Sequence, residues 1–327
     1  FFYMKTTNLA GKTGNFYVTA TNPAGPWSDP VWINVPGIDP DLYFDADGKV
    51  YVISSEFQLY EIDIKTGKLL TEGRRVWSGT GGRYAEAPHI YKKDGWYYLM
   101  AAEGGTEEAH SATIARSNDI WGPYTENPAN PILAHANAAG QGNPIQGVGH
   151  ADMVEAHDGS WWIVFHGYRT VSDKVHHILG RETCLAPVSW PKNGWPVVNG
   201  NGVVTVEMTC PTLPLKPFPA KPARTEFNEE KRGLEWNYIQ NPDENNFSLS
   251  ARNGFLRLKG SAQTISTRNT STFMGRRLQD FYFTATTRIE FDPKNKNEEA
   301  GMILLNNGSH FDILIRNNAG KRVLVVK

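Results

Sequence analysis

The chain has 327 residues, 40% of them hydrophobic and 20% charged, with a formal net charge of -1. That length can bury one large core or two. The near-neutral balance argues against a nucleic-acid partner, and no apolar run reaches the roughly 18–20 residues needed to span a bilayer, so no membrane partner is expected.

Ten Trp and thirteen Tyr suit the aromatic strands of a β protein, or the walls of a sugar or peptide groove. Cys184 and Cys210 do not make a disulfide framework; a single bridge is open, and two buried thiols are the expectation.

Residues 1–209 read as short strands separated by Gly, Asn, Asp and Pro. The chain opens with the aromatic strand FFYMKTTNL, which reads as the middle of a fold. GNFYVTAT, KVYVISS, QLYEIDI, GWYYLMAAE, SATIARS and SWWIVFHGY follow. Tyr, Val, Phe and Trp favour the pleated, half-buried surface of a sheet. Asp47-Gly48, Asp94-Gly95 and Asp158-Gly159 mark three hairpins, because an Asp-Gly pair supplies the positive φ values of a type I′ turn.

The three hairpins share a frame. Asp39, Glu86 and His150 each stand nine residues before the turn glycine. The turn glycines are 47 and 64 residues apart, a spacing that suits propeller blades of four short strands with one insertion. In such a fold the three polar side chains would converge on the axis. A sandwich would also give repeated hairpins, but no repeated polar slot.

Residues 210–224, CPTLPLKPFPAKPAR, hold five prolines and read as an extended linker. Residues 225–327 change texture. NNFSLS, GFLRLKG, FYFTATTRIEF, EAGMILLNNG, HFDILIRN and RVLVVK alternate apolar and polar, as the strands of a sandwich do.

Asp39 precedes Pro40, which favours an extended backbone at Asp39 and admits a turn role as well as a channel-mouth carboxylate. Glu86, enclosed near another carboxylate, would have a raised pKa suited to a general acid. His150 has three readings: a hydrogen-bonded core group, a substrate contact, or a metal ligand. A calcium ion there would be mostly hydrated, because calcium needs six to eight oxygens, and no zinc cluster is present. His89 reads as structural.

Arg169 and Arg181 carry the donor fork that holds hydroxyls or carboxylates, and equally suit strand-end ion pairs. Trp32 and Trp190 suit a sugar platform or core packing. The run EGGT at 103–106 is too weak to read as phosphate binding, and GxSxG, P-loop, HExxH and Rossmann patterns are absent. Two carboxylates facing one cavity point to glycoside hydrolysis, which needs a protonated acid and a second carboxylate.

The stretches GIDPDLYFDADGKVYV, YAEAPHIYKKDGWYYLMAAEGGT, ARSNDIWGPYTENPANPIL, GHADMVEAHDGSWWIVFHGYR and LGRETCLAPVSWPKNGWP resemble glycoside hydrolase family 43, the β-xylosidases and α-L-arabinofuranosidases. EFNEEKRGLEWNYIQNP resembles the start of that group's C-terminal domain. The resemblance implies an all-β fold: a five-bladed β-propeller, here lacking its first blade, then a concanavalin-like β-sandwich that is C-terminally incomplete.

The resemblance further implies that Glu86 is the general acid and that Asp39 tunes the acid's pKa and orients the sugar. His150 is implied as the axial histidine, near calcium in some members, and Arg169 as a sugar contact. Arg181 and Trp32 join the substrate-binding candidates. The family's general base, an Asp in the first blade, would lie upstream of residue 1.

The expected activity is exo-acting and inverting, releasing xylose from xylo-oligosaccharides, with no required cofactor. An α-L-arabinofuranosidase, or a bifunctional enzyme on arabinoxylan, is the alternative, and a non-catalytic glycan-binding propeller is a further one. A homo-oligomer, or a second chain supplying the missing segment, stays open, as does the compartment.

Overall fold

The computed structural model describes residues 1–9, 11–138, 140–171, 176–220, 222–267, 271–306 and 309–327. The chain divides into two compact units, Phe1–Leu215 and Lys216–Lys327. The division falls within the proline-rich run.

Among the described residues the first unit holds four antiparallel sheets in chain order. The first contains Phe2–Leu9 (β1), Lys12–Thr19 (β2) and Val31–Ile33 (β3). The second contains Asp41–Phe44 (β4), Val50–Ile53 (β5), Gln58–Asp63 (β6) and Lys68–Leu69 (β7), with Arg74–Arg75 (β8) also on β6. The third contains Glu86–Lys93 (β9), Trp96–Glu103 (β10), Ser111–Ser117 (β11) and Thr125–Glu126 (β12), with Leu133–Ala134 (β13) also on β11. The fourth contains Ile145–Glu155 (β14), Trp161–Arg169 (β15), Glu182–Ser189 (β16) and Val197–Val198 (β17).

The sheets stack face to face, and strand periodicity shows how. Successive side chains on a strand point to opposite faces. Val50 and Val52 of β5 pack on Tyr17 and Ile33 of the first sheet. Tyr51 and Ile53, on the other face, pack on Ile90, Leu99 and Ala101 of the third. Tyr98 and Met100 of β10 turn the opposite way, onto Met153, Trp161, Ile163 and Phe165 of the fourth. The middle strands are therefore buried on both faces. This is why VYVI and YYLMAA are continuous apolar runs without polar alternation. Leu99 is fully buried, and such a side chain contributes roughly 2 kcal/mol.

All three Asp-Gly hairpins are present, joining β4 to β5, β9 to β10 and β14 to β15. Only Asp94-Gly95 has two positive φ values, 50° and 82°. At the other two sites the aspartate is not left-handed and only the glycine is, with φ of 86° at Gly48 and 80° at Gly159. Asp47 Oδ1 accepts from Lys49 N, and Asp158 Oδ1 accepts from Ser160 N. Gly48 N also donates to Asp45 O and Gly159 N to Ala156 O, which makes three-residue loops closed by a left-handed glycine, so the expected type I′ form holds at one hairpin of three.

In the second unit Phe247–Ser248 (β18) pairs Arg257–Leu258 (β19). Glu299–Asn306 (β20), Ser309–Asn318 (β21) and Lys321–Val326 (β22) form a meander. Residues 307 and 308 of the expected strand EAGMILLNNG lie outside the described residues. FYFTATTRIEF, residues 281–291, forms no strand among the described residues. Alternation alone does not make a ladder, which needs a neighbouring backbone. Cys184 and Cys210 are free thiols as expected, but neither is fully buried: Cys184 is half-buried and Cys210 exposed.

Candidate active site

Strands β4, β9 and β14 are the first strands of successive sheets and lie beside one another. Each carries its polar residue at or before an irregular backbone position. Asp39 stands two residues before β4 with φ of 50°, left-handed where Pro40 led us to expect an extended conformation. Aspartate tolerates that region better than most residues. Glu86 opens β9. It pairs Ala102 across a register shift, and the next residue, Ala87, has φ of 48°. His150 has φ of 49° and lies within the second of two register shifts in β14, between Gly149 and Asp152. Bulges re-aim side chains, and strained backbone gathers at functional positions.

The result is one cluster. One polar atom each from Asp39, Glu86 and His150 lies within 4.8 Å of the others. His150 Nε2 stands 3.5 Å from Asp39 Oδ2, an ion-pair distance rather than a good hydrogen bond. Burial raises the Glu86 pKa, and the Asp39 charge raises it further, while His150 and Arg181 pull it down. Contact with Asp39 holds His150 above its ordinary value, against burial. Glu86 is thus biased toward its proton, and His150 toward its positive charge.

A second polar layer lies one step along the same strands. Asp41 Oδ2 is 3.3 Å from His89 Nδ1. Burial opposes charge on His89, but Asp41, then Asp152 and Asp39, lift its pKa to about 9. The Tyr91 hydroxyl donates to Asp152 Oδ1 at 2.5 Å and accepts from Met153 N at 2.9 Å. This layer ties β4, β9 and β14 together beneath the cluster.

Two further histidines lie behind His150 and escaped the sequence reading. The His166 ring is 5.9 Å from that of His150 and 4.6 Å from that of His110. His110 is fully buried. Burial pushes both His110 and His166 down to about 4, and His150 and Arg181 add to the effect. They stay neutral, and the charge rests on His150. Their signal in the sequence is a histidine inside an apolar strand, as in WWIVFHGY, and the glycine in VGHADMV. A Cβ at Gly149 would come within 2.7 Å of the His110 ring, so only glycine lets that ring lie there.

The remaining sequence candidates separate. Arg169 forks onto Glu182, with Nη2 to Oε1 at 2.8 Å and Nε to Oε2 at 3.0 Å. Arg181 is the arginine whose charge acts on Glu86. Trp32, on the third strand of its sheet, packs on Phe16 and lies under Lys12. Trp190 packs edge-on against Tyr98 and Trp161 in the core. Neither tryptophan contacts the cluster among the described residues.

Calcium takes six to eight oxygen ligands. The cluster offers two carboxylate oxygens and one imidazole nitrogen, far short of that number. These residues do not fit a protein-held calcium ion.

The arrangement of sheets and cluster has clear relatives. Residues 1–196 match glycosyl hydrolases family 43, and residues 224–327 match the β-xylosidase C-terminal concanavalin A-like domain. A non-reducing end α-L-arabinofuranosidase of Bacteroides ovatus is 44% identical over all of this chain and 62% of its own length. A xylosidase/arabinosidase of Butyrivibrio fibrisolvens is 38% identical over 96% of this chain and 64% of its own. The chain thus spans less than two thirds of the length of these curated relatives.

Among solved structures, the one named Bacteroides ovatus Xyloglucan PUL GH43B superposes with a TM-score of 0.91 at 43% identity, covering 97% of this chain and 63% of that one. Xylan β-1,4-xylosidase from Bacillus halodurans gives 0.84 at 29%, covering 99% and 67%. The chain belongs to glycoside hydrolase family 43, whose five-bladed β-propeller and C-terminal β-sandwich account for its two units.

Proposed function

We propose that this chain serves an exo-acting, inverting glycoside hydrolase that releases xylose from xylo-oligosaccharides. An α-L-arabinofuranosidase, or an enzyme active on both linkages in arabinoxylan, is the second reading, favoured by the name of the Bacteroides ovatus relative. The observation that carries the proposal is the half-buried pair of Glu86 and Asp39 with His150 beside them.

A proton held on Glu86 at working pH can be given to the glycosidic oxygen as the bond breaks. Like charges resist joint ionisation, so Asp39 keeps that proton in place. An inverting pair stands about 6.5–9.5 Å apart to admit a water. Asp39, within 4.8 Å of Glu86, is too close to be the base of such a pair. It is assigned to tuning and orientation, and the base to a third carboxylate outside this cluster. Arg181 and His150 are assigned to the sugar hydroxyls, with Arg169 and Trp32 as weaker candidates. A hydrated calcium near His150 is not needed for this chemistry.

The test uses the full-length protein and two aryl pentosides, β-xyloside and α-L-arabinofuranoside. Faster turnover of the xyloside supports the first reading, and the reverse selects the second. Glu86→Gln should lower turnover by about 10²–10⁴-fold, most of all with poor leaving groups. Unchanged turnover in Glu86→Gln, or a released sugar of retained anomeric form, would remove the assignment. Glycan binding without hydrolysis would select the non-catalytic propeller.

A further inference from the structure

Glu103 is a carboxylate at the end of β10 and only 4% exposed. It follows Ala102, the ladder partner of Glu86, just past the register shift in that pair of strands. Its two oxygens accept four hydrogen bonds. Thr80 N donates to Oε1, Thr80 Oγ1 donates to Oε2 at 2.7 Å, and Gly82 N donates to Oε2 at 3.1 Å. Thr113 Oγ1 donates to Oε1 at 3.3 Å. A buried carboxylate is stable when its lone pairs are met by donors in this way.

Three of those bonds come from the segment 79–85 that leads into Glu86. The same segment is zipped to the strand end by Gly104 N donating to Arg83 O at 2.7 Å and by Arg83 Nη2 donating to Gly104 O at 3.0 Å. A Cβ at Gly79 or Gly82 would run into the Glu103 carboxylate. Gly79 and Gly82 of GTGG are thereby explained, and so is the glutamate of EGGT, which the sequence reading left unassigned.

We propose that Glu103 is a positioning residue for the general acid: a buried anchor that fixes segment 79–85 and so sets where Glu86 enters β9. This deepens the glycosidase reading and rests on it. Glu103 acts through backbone amides and touches neither substrate nor the reacting atoms. The charged groups that act on Glu86 itself are Asp39 ahead of β4, His150 on β14 and Arg181 ahead of β16. If segment 79–85 loosens, the half-buried Glu86 becomes more exposed, and the burial that helps hold its proton weakens.

The test is Glu103→Gln in the full-length protein. The amide places an NH2 against a backbone N–H that the carboxylate oxygen had met. The expected result is a fall in kcat of about 10–100-fold, in line with a small misplacement of a reacting group, with KM little changed. The basic limb of the pH profile should move to lower pH. Amide exchange of residues 79–86 should quicken. Glu103→Asp, which keeps the charge, should recover part of the activity. A lowered melting temperature with an unmoved pH limb and unchanged exchange at 79–86 would overturn the proposal and leave Glu103 a core carboxylate.

If Glu103→Gln fails to fold, Thr80→Val, which removes one donor, should shift limb and exchange in the same direction by less, and no shift in either would overturn the proposal. If the wild-type protein hydrolyses no pentoside, the glycosidase reading falls. The exchange measurement then decides alone whether Glu103 anchors the segment.

Discussion

Asp41→Asn isolates the layer beneath the cluster. His89 rises from an ordinary 6.5 to about 9, with Asp41 the leading favourable cause against burial. At 1.36 kcal/mol per unit, that rise corresponds to about 3 kcal/mol of stability from protonated His89. The His89 side chain is 21% exposed, so screening removes only part of it.

The folded state binds this proton more tightly than the unfolded state. The stabilisation is therefore complete below pH 6.5 and is lost as pH rises through about 9. In Asp41→Asn most of it disappears, so the variant should be weaker than wild type by about 2–3 kcal/mol at pH 6. The gap should narrow steadily above pH 6.5 and be small at pH 9.5. Denaturant unfolding followed by tryptophan fluorescence at several pH values measures this, with the transition of the first unit fitted separately. A difference independent of pH between 6 and 9.5 would refute the reasoning, because it would mean the pair contributes packing and no proton linkage.

Asp39→Asn should move the basic limb of activity to lower pH, since it removes the charge that helps burial raise Glu86, and should lower kcat/KM by about an order of magnitude at least; a limb that stays in place would exclude Asp39 as a tuner. Gly149→Ala should destabilise by about 1–3 kcal/mol, because its Cβ meets the buried His110 ring at 2.7 Å and overpacking of a rigid site costs that much; thermal unfolding would show it, and an unchanged midpoint would mean the ring moves freely. Chelation with EDTA should leave pentoside turnover intact, and a loss restored by calcium would show that an ion serves the site after all.

The physical division between local and long-range information explains what could be read beforehand. Hairpins were legible because Asp-Gly turns and aromatic strands are local signals, and the nine-residue frame was legible because a strand has a fixed rise. Equal distances from the turn glycines suggested matching heights for Asp39, Glu86 and His150, and the three residues do meet, although the turns differ and β9 and β14 carry register shifts. The proline-rich run was legible for the same local reason.

Other features depend on which strand lies beside which, and no short window contains that. The order of sheets placed His110 behind His150, 40 residues away in the chain, and the bulged pairing of β14 with β15 set His166, 16 residues away, opposite Gly149. Arg169 and Arg181 look alike in sequence, and only the pairing of β15 with β16 gave Glu182 to the first, while the second acts on Glu86. The extended backbone expected at Asp39 gave way to a left-handed one, and FYFTATTRIEF alternated without gaining a ladder. Composition and periodicity determined that this chain would be strands and hairpins. Tertiary packing decided which polar groups share a low-dielectric space, and therefore which of them hold protons.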